Sequence, residues 1–183
     1  MTVYFETPGD YSEQVFELVN QKLEESSIDT VIVATTRGQT ALYAAENVKN
    51  ARIVAVTHQA GFRNPGEMEI SKEVIESLKE KGVEVLTATH ALAGVDRAIR
   101  KKHGTWQISE LIAETLRIFG QGTKVVAEIV LMAADAGLIR MEDVISVGGT
   151  GNGADTAWVV KPAHTNTFFE LQMRELLCKP RDF

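Results

Sequence analysis

The sequence predicts a single three-layer α/β domain whose mainly parallel sheet has about five strands. Continuous β-branched and apolar runs, typical of strands buried on both faces, alternate with stretches of helical periodicity. Turns rich in threonine or glycine follow two of these runs. The length of 183 residues, with 44% hydrophobic and 24% charged residues, allows one full hydrophobic core. We expect one domain over residues 1–183, with an insertion around 88–106.

The first half of the chain alternates between helices and strands. A Pro8-Gly9-Asp10 turn opens it, and the crossovers between its strands should be right-handed. The predicted elements are a helix ending near Glu25, a strand over Thr30–Thr35, a helix over Ala41–Val48, a strand over Arg52–Thr57, a helix over Glu67–Lys81 and a strand over Val83–Thr87.

The second half breaks this rhythm with the insertion. We expect the insertion to be helical through Val95–Lys101. After it we predict helices over Ile108–Phe119 and Thr123–Ala136, and strands over Asp143–Val147 and Thr156–Lys161. In the tail, Thr167–Cys178, apolar and polar residues alternate. This favours an edge strand, with a short helix as the alternative.

Charge and composition exclude several classes of protein. A formal net charge of −6 argues against a nucleic-acid partner, and the basic cluster at Arg97–His103 is interpreted as a solvated helix end. Cys178 is the only cysteine, which fits a reducing compartment. The chain has neither an apolar run of about 18 residues nor a signal peptide. We expect a cytoplasmic protein with no membrane partner, and a homo-oligomer stays open.

A threonine-rich turn connects the strand Thr30–Thr35 to the next helix. Its residues are Thr35, Thr36, Arg37, Gly38, Gln39 and Thr40. Ligands of open α/β sheets bind at the carboxyl ends of strands, and a helix N-terminus offers unpaired N–H groups to an anion. The hydroxyls and Arg37 add donors for phosphate oxygens. The alternative is a plain helix cap by Thr36 or Thr40, but three threonines and an arginine favour a phosphate site.

A glycine-rich loop follows the strand Asp143–Val147. Its candidate binding residues are Gly149, Thr150, Gly151, Asn152, Gly153, Ala154 and Asp155. The letters Gly149-x-Gly151-x-x-Ala154 match the dinucleotide fingerprint, but that fingerprint requires a following helix, and a strand is predicted here. We therefore reject an NAD site. Two interpretations are kept, a hairpin turn and one wall of a ligand site.

A polar loop after the strand Arg52–Thr57 and one histidine of the insertion complete the candidates. The binding candidates here are Thr57, His58, Gly61, Phe62 and His90. Phe62 either packs on a planar ring or covers the end of the sheet. The histidines have no metal-binding spacing, so we expect no metal. Among the groups able to move a proton, His58, His90 and Asp155, we favour His90 as the catalytic candidate because the insertion could close over a ligand.

The sequence TVIVATTRGQTA from Thr30 to Ala41, followed by ARIVAVT at Ala51–Thr57, resembles the C-terminal α/β domain of pyruvate kinase. That domain has an ATTxxGxTA-like turn, a helix and an xIxAVT strand, and it binds a phosphorylated effector at the matching turn. The glycine-rich loop with Thr156–Lys161 is similar to the last strand pair of that domain. The resemblance extends over Ser12–Pro162 and is interrupted by the insertion.

The resemblance does not extend to the catalytic barrel of pyruvate kinase, so no pyruvate kinase activity is expected. The chain looks more like the stand-alone pyruvate kinase C-terminal-like proteins of archaea and bacteria, and this implies a bound flavin mononucleotide (FMN). FMN has one phosphate for a helix N-terminus and one flat ring for the loops. We expect a binding protein for this phosphorylated small molecule, with a flavin-dependent oxidoreductase or a regulatory module that senses a phosphorylated metabolite as the alternatives.

Overall fold

A computed structural model describes residues 1–183. Its strands are β1 (Val3–Phe5), β2 (Thr30–Ala34), β3 (Arg52–Thr57), β4 (Glu84–Thr87), β5 (Val144–Gly148), β6 (Thr156–Lys161) and β7 (Gln172–Pro180). Its helices are α1 (Ser12–Glu24), α2 (Gln39–Asn47), α3 (Lys72–Glu80), α4 (Gly94–His103), α5 (Ile108–Arg117) and α6 (Gln121–Asp135), and a 3₁₀ helix spans Thr165–Glu170.

The seven strands form one sheet in the order β1-β7-β6-β5-β2-β3-β4. The pairs β1–β7, β2–β3, β2–β5 and β3–β4 are parallel, and only β6 runs antiparallel to its neighbours. The predicted α/β class with a mainly parallel sheet is therefore confirmed. The expected number of strands was too low because β1 and β7 join the sheet. The tail is a 3₁₀ helix up to Glu170, which matches the helix alternative, and then forms the favoured strand as β7. Strand β1 pairs with β7, so β7 is not at the edge of the sheet.

Helices cover both faces of the sheet, which makes three layers. Alternate strand residues such as Val31, Val33 and Ile145 pack with α1, α2 and α3 on one face. Residues of the opposite parity, such as Ile32 and Val54, pack with α6 on the other face. None of the six α-helices combines the length and the hydrophobicity that a membrane span requires.

Three helix starts differ from the sequence prediction by two residues or more: those of α2, α3 and α6, the last of which begins at Gln121 rather than Thr123. Helix α3 begins at Lys72 rather than Glu67, because the Ser71 hydroxyl accepts a hydrogen bond from the Val74 amide at 3.3 Å and caps the helix there. The segment before it is held in a turn, in which the Gly61 amide donates to the Glu67 carbonyl at 2.8 Å. Helix α2 starts two residues earlier than predicted, at Gln39, directly after the turn.

Strand β2 lies between β5 and β3 in the sheet. From the carboxyl end of β2 the chain passes through α2, on one face, to β3. The chain enters β5 from α6, on the opposite face, and leaves its carboxyl end towards β6. The connections therefore diverge at the carboxyl ends of β2 and β5. In open α/β sheets such a switch point leaves a crevice that binds ligands.

Candidate functional site

A cleft of about 1030 Å³ opens at this switch point. Its volume is at the upper end of the range for small-molecule sites. Most predicted site residues line it: Thr35, Thr36, Arg37, Gln39, Thr40, Thr57, His58, His90, Gly149, Gly151, Asn152 and Gly153. The predicted residues outside the lining are Gly38, Gly61, Phe62, Thr150, Ala154 and Asp155.

The threonine-rich turn leaves the start of α2 without a side-chain cap. The N-cap residue is Gly38, with φ of 97°, so the interpretation of Thr36 or Thr40 as the cap is wrong. The Thr35 hydroxyl accepts from the Gly38 amide at 3.1 Å and closes the turn from inside. The first N–H groups of α2 therefore stay available at the cleft, with the positive end of the helix dipole behind them.

Arg37 supplies a cation to the same end of the cleft. Its side chain is exposed, lines the cleft and forms no ion pair. The other arginine at the cleft, Arg63, has its Nε 2.9 Å from Oε1 of Glu69. The carboxylate of Asp10 also lines the cleft, but it already accepts hydrogen bonds from the Ser12 amide and hydroxyl at 3.1 and 2.6 Å. Arg37 is therefore free to pair with an anion.

The glycine-rich loop is the hairpin turn between β5 and β6, which pair antiparallel up to Gly148 and Thr156. This confirms the hairpin interpretation, and no helix follows the loop. The Asp155 side chain is fully buried and accepts from the Thr150 amide at 3.0 Å and the Thr156 hydroxyl at 2.6 Å. Asp155 thus closes the loop from within instead of facing the cleft.

The same loop brings the start of α1 to the cleft, which the sequence did not indicate. The Tyr11 amide donates to the Ala154 carbonyl at 2.9 Å, and the Ala154 amide donates to the Ser12 hydroxyl at 3.1 Å. A Cβ atom on Gly153 would lie 2.2 Å from Cγ of Asp10, so only glycine allows this approach. Helix α1 therefore adds a second helix N-terminus beside the turn.

A stripe of α6 forms the wall that the sequence analysis missed. The lining residues are Gln121, Val125, Glu128, Ile129 and Met132. Together with Ala34 and Val56 at the ends of β2 and β3, they make this side of the cleft partly apolar. One signal was present in the sequence. Lys124 and Glu128 are an i, i+4 charged pair within an otherwise apolar helix, and such a pair needs a local reason to be buried.

Glu128 organises the buried polar groups of this wall. It pairs with Lys124, accepts from the Leu92 amide at 3.0 Å, and lies 3.8 Å from Nδ1 of His90. Burial, together with smaller effects of nearby positive groups, lowers the pKa of His90 to about 4, and the charge of Glu128 opposes this shift. Burial also lowers the pKa of Lys124, although Glu128 counteracts this. His90 is therefore a neutral imidazole at pH 7.

His58 has a carboxylate within hydrogen-bond distance, whereas the carboxylate nearest to His90 is farther away. Its Nδ1 lies 2.6 Å from Oε2 of Glu69. A carboxylate oxygen accepts a hydrogen bond from an imidazole N–H, so this contact orients the His58 ring with its Nε2 edge turned away from Glu69. The Phe62 ring stacks on the His58 ring at 4.1 Å and the His90 ring at 5.2 Å, with the Arg97 guanidinium 5.2 Å from its centroid. Phe62 thus packs on two imidazoles behind the cleft.

A comparison with protein families agrees with this architecture. The family model for the pyruvate kinase alpha/beta domain matches residues 13–160. A crystal structure of pyruvate kinase from Cryptosporidium parvum has a TM-score of 0.45 at 17% identity, over 85% of this chain and 23% of that one. The enzyme of the same organism in complex with ADP has a TM-score of 0.45 at 18% identity, over 87% and 25%. The chain thus spans at most a quarter of the length of these pyruvate kinases.

Proposed function

Because the chain belongs to the pyruvate kinase alpha/beta domain family, we propose that it binds a phosphate-bearing small molecule, FMN, in the cleft at the switch point. The observation that carries the proposal is the uncapped start of α2 beside an arginine without an acidic partner. Both features lie at the carboxyl end of β2, where open α/β sheets bind their ligands.

The phosphate belongs at the end of the cleft formed by the threonine-rich turn. The amides of Gln39 and Thr40 and the hydroxyls of Thr36 and Thr40 are the donors for its oxygens. Arg37 pairs with its charge. Asn152 of the glycine-rich loop lines the cleft as well and offers an amide donor to the ligand.

The isoalloxazine ring belongs at the partly apolar end. Val125, Ile129 and Met132 of α6 offer one flat side, and Val56 extends it onto the sheet. Thr57 and His90 also line the cleft, and their polar atoms can form hydrogen bonds with the edge of a heteroaromatic ring. When bound, FMN accepts and donates electrons or hydride. The residues of this chain bind it, orient it and exclude water from its apolar side.

We place this binding protein in the cytoplasm, where its single buried cysteine stays reduced.

The test compares FMN with riboflavin, which has the same ring and no phosphate. Near-ultraviolet and visible absorbance of the purified protein, with mass spectrometry of the ligand released on unfolding, identifies what it carries. Calorimetric titration of the stripped protein should give a dissociation constant for FMN that is roughly tenfold or more below that for riboflavin. Equal affinities would remove the phosphate site from the proposal. Release of a colourless phosphorylated metabolite would favour the regulatory module instead.

A flavin-dependent oxidoreductase is the second candidate, and the His58–Glu69 contact favours it. A histidine held by a carboxylate is a common proton-transfer group, and His58 lines the cleft. We expect the FMN-loaded protein to show no steady oxidation of NADH or NADPH with common acceptors. If turnover is found and is lost in His58→Asn but kept in Gln59→Ala, whose half-buried side chain does not line the cleft, the enzyme replaces the binding protein as the proposed function.

A further inference from the structure

One carboxylate, that of Glu69, contacts two residues of the loop between β3 and α3 that line the cleft. Its Oε1 lies 2.9 Å from Nε of Arg63, and its Oε2 lies 2.6 Å from Nδ1 of His58. The Glu69 side chain is only 13% exposed, so its charge requires partners nearby. Arg63 and His58 are these partners, and Glu69 in turn fixes where they stand at the cleft.

The contact with Glu69 uses only one edge of the Arg63 guanidinium. Arginine has a planar group with five N–H donors in a rigid fork, which can bind a phosphate through two parallel hydrogen bonds. The ion pair is made through Nε, and Arg63 forms no other ion pair. The outer edge, formed by the two Nη groups, is therefore available to an anion in the cleft.

Arg63 lies beside the threonine-rich turn. A Cβ atom on Gly38 of that turn would lie 3.3 Å from Cδ1 of Ile70, the residue that follows Glu69. Arg37 and Arg63 both line the cleft, and both also line a second pocket of about 140 Å³. The two arginines therefore stand at the same end of the cleft, where the phosphate is placed.

The lining of the cleft has its cations at this end and its acids elsewhere. Arg37 and Arg63 are the only arginines or lysines in the lining, whereas Asp10 and Glu13 belong to the start of α1 and Glu128 to α6. The pocket that the two arginines share is smaller than the roughly 300 Å³ of small-molecule sites. It has room for a phosphate group but not for a nucleoside beyond it.

We propose that Arg63 is a second arginine of the phosphate site, that Glu69 positions it, and that the pair selects a terminal phosphate. This inference rests on the proposed binding of FMN in the cleft. A phosphate monoester has a charge of about −1.5 to −2 at pH 7 and three free oxygens, so Arg37 and Arg63 bind different oxygens. Each phosphate of an internal diphosphate, as in flavin adenine dinucleotide (FAD), has a single charge and two free oxygens.

The first experiment titrates the stripped protein with FMN, riboflavin and FAD by calorimetry. The parent should bind FMN roughly tenfold or more tightly than either other flavin, and Arg63→Ala should weaken FMN binding roughly tenfold without changing riboflavin binding. Arg174→Ala is the matched control, because Nε of Arg174 also lies 2.9 Å from a carboxylate oxygen, Oδ1 of Asp143, but outside the cleft. This control should bind all three flavins as the parent does.

The outcomes of this titration separate the inference from the proposed function. Equal affinities of the parent for FMN and riboflavin would overturn both. A parent that prefers FMN, with the full preference kept in Arg63→Ala, would overturn the role of Arg63 alone. The same loss of FMN and riboflavin binding in Arg63→Ala would mean that Arg63 only holds the loop. FAD that binds as tightly as FMN would overturn the selection of a terminal phosphate.

The second experiment separates positioning by Glu69 from the direct effect of its charge. Glu69→Gln removes a negative charge near the phosphate, so charge alone would make FMN binding tighter. Because Glu69 aligns Arg63, we expect this variant to bind FMN roughly threefold or more weakly and riboflavin as the parent does. Adding Glu69→Gln to Arg63→Ala should cause no further loss, since Glu69 acts through Arg63. Tighter FMN binding in Glu69→Gln, or additive losses in the double variant, would overturn the positioning role.

Arg63→Lys tests the same role in a chain that keeps Glu69. Lysine retains the positive charge but has neither an Nε donor for Glu69 nor a planar fork for the phosphate. We expect its affinity for FMN to stay below that of the parent, with riboflavin binding unchanged. Parent affinity for FMN in Arg63→Lys would show that charge alone is required and would overturn the positioning by Glu69.

Discussion

The two turns at the cleft use glycine and side chains in opposite ways. In the threonine-rich turn, Gly38 faces inward, where a Cβ atom would lie 2.2 Å from Cγ1 of Val74, while Arg37 faces the cleft. In the glycine-rich loop, Gly151 lies at the cleft with open space around its Cα, while the side chain of Asp155 is buried beneath it.

This difference shows that two turns of similar composition can be built in different ways. The first turn presents side chains to the cleft and uses its glycine for packing against α3. The second loop presents glycine backbone to the cleft, beside the single side chain of Asn152, and uses the buried side chain of Asp155 to hold its own shape. Substitutions at chemically similar positions should therefore affect stability in one turn and binding in the other.

The largest expected effect separates the two glycines. Gly38→Ala places a Cβ atom against Val74 at a φ of 97°, so we expect it to lower the free energy of unfolding by about 2–4 kcal/mol. Gly151→Ala has a similar φ of 95° but no atom within 4 Å, so about 1 kcal/mol should be lost. Denaturant unfolding of both variants measures the difference. Equal losses would mean that packing against α3 does not distinguish the two turns.

A second effect arises in the wall opposite both turns. The pKa of His90 falls from 6.5 to about 4 on folding, so the unfolded chain takes up the proton first as the pH falls. The stabilisation linked to neutral His90 is full above pH 6.5 and is lost as the pH falls towards 4, by about 3 kcal/mol. The difference between the free energies of unfolding at pH 7 and pH 4.5 should be smaller in His90→Gln than in the parent. An unchanged pH slope in that variant would contradict the burial of His90.

A third prediction sharpens the role of the glycine-rich loop. Each oxygen of the buried Asp155 carboxylate accepts one hydrogen bond. Asp155→Asn replaces one of these acceptors with an NH₂ donor, so the free energy of unfolding should fall by about 1–3 kcal/mol. Affinity for FMN, measured on the folded protein, should change little because Asp155 does not line the cleft. Asp182→Asn, at an exposed position, is the control. A larger loss of affinity than of stability would make Asp155 a ligand-binding group.

The smallest expected change in stability is at Arg37. Arg37→Ala should leave the free energy of unfolding within about 0.5 kcal/mol, because this exposed side chain has no ion pair. It should weaken FMN binding by about 1.5 kcal/mol, or roughly tenfold, and leave riboflavin binding unchanged. Arg140→Ala is the control, since Arg140 lies outside the cleft. The same loss for both ligands would argue that Arg37 supports the fold of the turn and not a phosphate.

The central strands were predictable because they are buried on both faces. The runs at Thr30–Ala34 and at residues 53–57 are continuously apolar or β-branched, which is typical of a parallel sheet covered on both faces. The strand Val3–Phe5 was not predictable, because it has three residues, two of them exposed. Its place in the sheet is set by β7 at the far end of the chain, and no local pattern specifies such a partner.

The site was predictable where topology alone determines it. Turns after β2, β3 and β5 must gather at one edge of a parallel sheet, and they do so around the cleft. The stripe of α6 has the same helical period as any core helix, so nothing in its spacing marks it as a wall. Glu69 comes next to His58 only through the fold of the loop between β3 and α3, which local propensity does not encode.

The pairing of β1 with β7 has a consequence for synthesis. Val3 is aligned with Cys178, so nearly the whole chain separates two neighbouring strands. Closing so long a loop is entropically costly and slow, so this contact forms late in folding. While the protein emerges from a ribosome, β2 and β3 can pair at an early stage, but β1 has no strand to join until β7 has been made. Among the seven strands of this sheet, β1 is thus translated first and placed last, and it remains accessible to chaperones and proteases throughout that interval.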